Sequence, residues 1–367
     1  MPEIEMPKSH GTARRSRLAA ASASLIAAVA LTTVPAASAH ADSFSLNCAP
    51  HTVSVRITDP GPADQTLWGE LCYRGSTEPS TVQILVHGAA YNHAYWDFPV
   101  GNGYYSYVQA ATAVGYATFD VDRIGIGNSS HPASSSVGVT AAAVSLHDGI
   151  TALRAGSVDG HAFSHVIIVG HSLGSYETWV EVATYQDVDA VIVTGALHGV
   201  NPAAPPTFFH TDAYPAVMDP KFANSGLDTG YLTTKPGTRE SMMYSTATVD
   251  PAVVTADEAN KDTTTIAEAQ SAAPIFSLPP TQAYSYKITV PTLSISGTDD
   301  FFHCPGVTLY DCNNTASVEA FESQYYQPAA HVQIVMMPYT GHALALSTTA
   351  PATDAVMLTF ALSHVAP

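Results

Sequence analysis

The chain has 367 residues, 46% hydrophobic and 12% charged, which excludes a disordered chain and suffices for one large core. Thirteen Lys and Arg stand against 31 Asp and Glu, a formal net charge of −18. Such a surface repels nucleic acid and anionic membranes.

Lys8, Arg14, Arg15 and Arg17 precede Leu18-Ala19-Ala20 and an apolar run over 25–34, and Ala37-Ser38-Ala39 and Ala39-His40-Ala41 are small-x-small cleavage sites. This pattern predicts a secretory signal peptide over 1–41, too short and Ala-rich for stable membrane insertion, and a mature domain over 42–367. An even set of four cysteines in an exported chain predicts disulfides. Of the three connectivities, the expected one joins near neighbours, Cys48 with Cys72 and Cys304 with Cys312. Their spacing is not that of a metal site, and no metal or organic cofactor is expected.

In chain order, Val53, Val55 and Ile57 alternate in a strand over 52–58, and a second strand over 67–73 completes an antiparallel hairpin around Pro60-Gly61-Pro62. A buried strand over 81–86 ends at His87-Gly88-Ala89-Ala90. A helix over 105–114 and a strand over 116–121 lead into Asp122-Arg123-Ile124-Gly125-Ile126-Gly127-Asn128-Ser129. That stretch lacks the third Gly or the Lys of a phosphate loop and reads as a structural turn. A helix follows over 139–155; His147 and Asp148 within it read as surface or satisfied core residues.

Val166-Ile167-Ile168-Val169 then runs directly into Gly170-His171-Ser172-Leu173-Gly174, with a helix-compatible segment after it. The serine therefore lies on a tight strand-to-helix turn that lifts its hydroxyl above a parallel sheet. Gly170 and Gly174, without β-carbons, allow strand and helix to close around it. A backbone N–H from the His87-Gly88 turn, that of Ala89, and one from Leu173 are candidates for an oxyanion hole. Trp96 reads equally as pocket wall or core.

A strand over 188–197 follows. From 198 to 286 the pattern breaks into Pro, Thr and Ala with scattered aromatics and methionines. A structureless loop of that length is improbable, so an inserted cap of short helices is expected, lined by some of Phe208, Phe209, Tyr214, Phe222, Tyr231, Met242, Met243, Tyr244 and Phe276. The sheet resumes over 288–296 and ends at Gly297-Thr298-Asp299-Asp300. A helix over 317–326, a strand over 331–337 ending at Gly341-His342, and a helix over 357–364 complete the chain. Strands alternating with helices predict an α/β fold: a mostly parallel twisted sheet covered by helices on both faces.

A serine hydroxyl needs a base, and the base an orienting acid. Strand ends offer Ser172, Asp299 or Asp300, and His342, in that order. His303 is a weaker base candidate, and His331 lies at the wrong end of the sheet.

These motifs resemble the α/β-hydrolase superfamily from about residue 51 to the C-terminus: His87-Gly88 is similar to its oxyanion turn, Gly170-His171-Ser172-Leu173-Gly174 to its nucleophile elbow, Gly341-His342 to its final Gly-His. Gly297-Thr298-Asp299-Asp300 resembles its Gly-x-x-Asp, which points to Asp300 as the acid. Asp122 through Ser129, with Trp96, is similar to the haloalkane dehalogenase and epoxide hydrolase branch. That branch places Asp at the elbow where this chain has Ser172. An alkylated serine is an ether with no hydrolytic exit, so the resemblance implies acyl transfer.

The expectation is a secreted serine hydrolase acting on small-molecule carboxylic esters with a hydrophobic moiety, through Ser172, His342 and Asp300. Lactone, carbon–carbon, amide or peracid chemistry with the same residues, and a non-catalytic binding protein on the same fold, are the alternatives. Oligomeric state is not legible.

Overall fold

The computed structural model describes residues 45–367; the signal peptide expected over 1–41 lies outside them. Strands β1 (Leu46–Val55) and β2 (Gln65–Arg74) form the entry hairpin, with Cys48 directly opposite Cys72. These two are disulfide-bonded, as are Cys304 and Cys312. Next come β3 (Thr81–Val86), α1 (Tyr107–Ala113), β4 (Ala117–Asp122), α2 (Val139–Ala155), β5 (His165–His171), α3 (Leu173–Tyr185) and β6 (Ala190–Thr194). An inserted segment carries α4 (Ala204–Pro206), β7 (Ala213–Pro215), β8 (Tyr231–Thr234), α5 (Arg239–Met243), α6 (Pro251–Asn260), β9 (Thr264–Thr265) and α7 (Ile266–Ala272). The chain then returns through β10 (Thr292–Gly297), α8 (Thr315–Glu322), β11 (Gln333–Met337) and α9 (Ala350–His364).

The main sheet has eight strands in the order β1-β2-β4-β3-β5-β6-β10-β11. It is antiparallel at β1 and β2 and parallel from β4 to β11. Alternate side chains of the central strands divide between its faces. Val82, Ile84, Val166, Ile168, Val191 and Val193 pack with Leu146, Ile150, Trp179 and Val180 of α2 and α3. Leu85, Ile167, Val169, Ile192, Leu293 and Ile295 pack with residues of α1 and α9. Burial on both faces explains why these strands read as unbroken apolar runs. Among the described residues no helix is long and apolar enough to cross a membrane.

Three expectations are corrected. The insertion is not purely helical: β7, β8 and β9 form a small antiparallel sheet, favoured by the aromatic and β-branched residues of Tyr231-Leu232-Thr233-Thr234, all buried. Strand β10 starts at Thr292 rather than 288, because Ile288 closes a 3-10 turn and Pro291 has no N–H for a sheet ladder. The last helix starts at Ala350, seven residues before the expected 357, with Pro351 in its first turn where a missing N–H costs nothing.

Candidate active site

The site is assembled at the C-terminal ends of β3, β5, β10 and β11, where loops of a parallel sheet converge. Ser172 joins β5 to α3 with φ 52° and ψ −119°, a region that a non-glycine residue occupies only when its surroundings hold it there. Here those surroundings are explicit. The Ser172 N–H donates to the Thr194 carbonyl at 2.8 Å, and the Ser172 carbonyl accepts from Ser175 and Tyr176. A β-carbon on Gly170 would lie 2.7 Å from the Gly174 carbonyl oxygen, and one on Gly174 would lie 2.5 Å from the His87 carbonyl oxygen. Both glycines are therefore required by close approach of backbone to backbone.

His342, in the loop after β11, is 2% exposed. Its Nδ1 lies 3.0 and 2.9 Å from the two carboxylate oxygens of Asp300. One of these oxygens also accepts the Phe302 N–H at 2.8 Å. Burial alone would raise the Asp300 carboxyl, but His342, His303 and these hydrogen bonds outweigh it and hold it below the usual range. Asp299 points elsewhere, accepting the Ser245 hydroxyl of the insertion at 2.5 Å. Of the two neighbouring acids, Asp300 is thus the one bonded to His342.

Gly195 follows Thr194, the residue whose carbonyl holds Ser172. A β-carbon on Gly195 would lie 3.2 Å from His342 Cε1, so the imidazole edge stands beside the Ser172 turn. Among the described residues no hydrogen bond joins the Ser172 hydroxyl to His342, whose bonds to Asp300 run through Nδ1. Such links are often long without substrate and tighten when it binds.

The His87-Gly88 turn touches the same serine: a β-carbon on Gly88 would lie 3.0 Å from Ser172 Cβ. The amides of Ala89 and Leu173 have no acceptor among the described residues. The Ala89 N–H belongs to the Gly88–Ala89 peptide, whose carbonyl is held from behind. His87 Nε2 accepts the Arg123 N–H at 3.1 Å, so Nδ1 carries the ring proton and donates to the Gly88 carbonyl at 2.9 Å. Arg123 Nη2 donates to the same oxygen at 3.4 Å. In a trans peptide, fixing the carbonyl aims the N–H the opposite way. Burial, and then the Arg123 charge, push the His87 imidazole down to about 3, which keeps it neutral in this role. Arg123 is itself buried and bonded to Glu177 of α3 and Glu268 of α7, so the clamp spans nucleophile helix and insertion. Sequence reasoning missed it because the partners of Arg123 come from three separate segments, His87-Gly88, Glu177 and Glu268.

His303 is not a base for Ser172. Its Nδ1 bonds the Gly199 carbonyl and its Nε2 the Tyr176 hydroxyl. His331 is exposed before β11, away from the site. Trp96 is 1% exposed and packs among Tyr95, Tyr107 and His171, as core. Within the 122–129 stretch, the Asp122 carboxylate accepts from the Asn128 N–H and side-chain amide, a structural turn.

A second Ser-His-acid array exists: His198 bonds Glu322 through Nδ1 at 2.7 Å and Ser285 through Nε2 at 2.8 Å. It is entirely buried, stacked between Trp179 and Tyr325, and its serine donates to the Tyr325 carbonyl. It fastens the end of the insertion to α8.

The insertion lies against the His342 loop. The Ala343 N–H donates to the Met243 carbonyl, and Thr348 N–H to that of Thr248. Met242, Met243, Tyr244 and Phe208 share an apolar cluster with Ala343 and Leu344, with Phe209, Phe301 and Phe302 packed on it.

An α/β sheet with a strained serine elbow and a buried His–Asp pair defines a protein of hydrolase type. The sequence profile of the alpha/beta hydrolase family matches residues 83–354, and the chain belongs to that family. No curated protein matches the chain significantly. Among solved structures it is similar to a thermophilic esterase from Thermogutta terrifontis, with TM-score 0.54 and 16% identity over 86% of this chain and 100% of the other. It is similar also to a bromoperoxidase from Bacillus anthracis, with TM-score 0.52 and 18% identity over 84% and 99%. The esterase domain of a Rhodothermus marinus protein gives TM-score 0.51 and 15% identity over 87% and 99%. At these identities the likeness is one of fold.

Proposed function

We propose that this protein is a secreted serine hydrolase that cleaves carboxylic esters carrying a hydrophobic moiety, through an acyl-enzyme. The observation that carries this reading is the buried Asp300–His342 pair standing beside a serine held at φ 52°.

The Ser172 oxygen attacks the ester carbonyl carbon while its proton passes to His342 Nε2, and the carbonyl electron pair moves onto oxygen. The Ala89 and Leu173 amides receive that oxyanion. Collapse breaks the bond to the alcohol oxygen, which leaves with the proton from His342. Water then gives a proton to His342, adds to the acyl carbon and releases the acid, restoring the Ser172 hydroxyl. Asp300 keeps His342 in the tautomer with the proton on Nδ1 and stabilises its charged form. The apolar side chains of Phe208, Met242, Met243 and Phe302 favour an apolar acyl or alcohol group, and the insertion acts as a cap over it. The basic, Ala-rich stretch over 1–41 and the two disulfides support export.

The test is a panel of p-nitrophenyl acyl esters, beside lactones and β-diketones, on wild type and Ser172→Ala. Ester turnover is expected, falling by roughly three or more orders of magnitude in the variant. Turnover confined to lactones or β-diketones would move the reading to another bond.

A further inference from the structure

Away from the elbow, at the far end of α3, three side chains form a compact group of a different kind. His147 projects from α2, Glu181 from the last turn of α3, and Asp187 from the residues just past that helix. One ligand atom from each lies within 4.8 Å of the others. His147 Nδ1 is 2.6 Å from an Asp187 oxygen and 4.0 Å from a Glu181 oxygen. The Glu181 side chain is 0% exposed, yet neither of its carboxylate oxygens has a hydrogen-bond partner, and the buried Asp187 Oδ1 has none either.

His147 Nδ1 hydrogen-bonds one Asp187 oxygen, and the rest of the acidic group is left without a donor. The two carboxylates face one another as acceptors, and no Lys or Arg bonds either among the described residues. Arg154, the nearest cation by its contacts, takes the Asp187 main-chain carbonyl and the Asp189 carboxylate. The negative end of the α3 dipole adds to the excess. A buried carboxylate in that position needs either a proton or a cation.

We propose that His147, Glu181 and Asp187 form a divalent transition-metal site, suited to zinc, that ties α2 to the C-terminal end of the nucleophile helix. One imidazole nitrogen and two carboxylates form a donor set that zinc accepts, with a water completing a tetrahedron. Ligands about 2.1 Å from zinc sit roughly 3.4 Å apart in a tetrahedron, and the 2.6 and 4.0 Å separations bracket that spacing. Calcium, which takes six to eight oxygens, is not satisfied by three residues. The His147 ring is already set by stacking on Tyr185 at 3.7 Å, and Arg154 fixes the Asp187 main chain. His147 and Asp187 are about a fifth exposed, which leaves an entry path. The site lies some nine residues along α3 from Ser172, so its role is to stiffen that helix rather than to take part in chemistry. Its ligands come from two helices and a loop, with no short motif to announce them.

The experiment is isothermal titration of the chelator-stripped protein with zinc chloride, with thermal unfolding followed in parallel. The expected result is one zinc per chain at micromolar affinity or tighter and a rise in Tm of several degrees. His147→Ala and Glu181→Gln are each expected to weaken binding at least tenfold while ester turnover stays that of the stripped wild type. His147, being partly exposed, is the variant whose folding is safe. Failure of folded wild type to bind one equivalent, or equal binding by both variants, would overturn the proposal. A rise in stability of Glu181→Gln with no zinc uptake by wild type would do the same and assign the site to a proton.

Discussion

The Asp300 carboxylate meets His342 Nδ1 through both oxygens, at 3.0 and 2.9 Å. The adjacent Asp299 turns away to the Ser245 hydroxyl. One residue of chain thus separates a tautomer-setting acid from a fastening for the insertion.

Asp300→Asn is expected to lower kcat by roughly 10⁴-fold, since an amide leaves His342 in the wrong tautomer. Asp299→Asn keeps an amide oxygen that can accept the Ser245 hydroxyl and should stay within about tenfold of wild type. Steady-state kinetics on one ester compares the two. Equal losses would remove the distinction.

His87→Ala frees the Gly88 carbonyl and loosens the aim of the Ala89 N–H. A drop in kcat of roughly 10- to 100-fold with little change in KM is expected, short of the full loss of an oxyanion donor. A change confined to KM would place the turn in ground-state binding instead.

His87 and His171, buried in neutral form, make a contribution to stability that acid removes, while burial pushes the Glu177 and Asp354 carboxyls up to about 8 and about 7, a contribution of opposite sign. The folded His87 pKa is depressed to about 3, and burial with His342 nearby holds His171 well below its usual value. The unfolded chain takes protons at these two histidines as pH falls through about 6.5, the folded protein only much lower, so their contribution is fully present above that pH and is lost below it. Because the raised buried carboxyls act with the opposite sign, the test is the comparison of two proteins: the change in urea-unfolding stability between pH 7.5 and 5.0 should differ between wild type and His87→Ala by on the order of 1–2 kcal/mol, the variant losing less in acid. The same pH dependence in both proteins would contradict the neutral clamp.

Cys304 starts a disulfide loop four residues after Asp300, and its N–H donates to the Asp300 carbonyl at 2.9 Å. The bond closes a sequence separation of 8 residues, worth about 2–3 kcal/mol by loop closure. Replacing Cys304 and Cys312 together by Ser should lower stability by that amount in urea unfolding and lower kcat more than KM. Unchanged kcat would show that Asp300 is held by its other contacts alone.

The parts legible in sequence were those specified locally. Helix α2 matched its expected 139–155 because glycines bound it, Gly138 at the N-cap and Gly156 in the left-handed region. The Ser172 elbow was readable because strand, turn and helix are contiguous. The Cys48–Cys72 pair was readable because both lie in one hairpin. The choice between Asp299 and Asp300 rested on resemblance, as either could leave the same strand end. The small sheet of the insertion was missed because its strands are two to four residues long, below the length at which alternation registers. The clamp of Arg123 and His87 on the Gly88 carbonyl, and the group around Glu181, arise only from tertiary packing.

The central claim is that Ser172 is a nucleophile activated by His342. The most direct measurement is intact-protein mass after reaction with a fluorophosphonate, followed by peptide mapping. One adduct per chain is expected, on Ser172, absent in Ser172→Ala and strongly slowed in His342→Ala. A folded wild-type protein that takes no adduct, or takes it on Ser285 of the buried second array, would contradict the account.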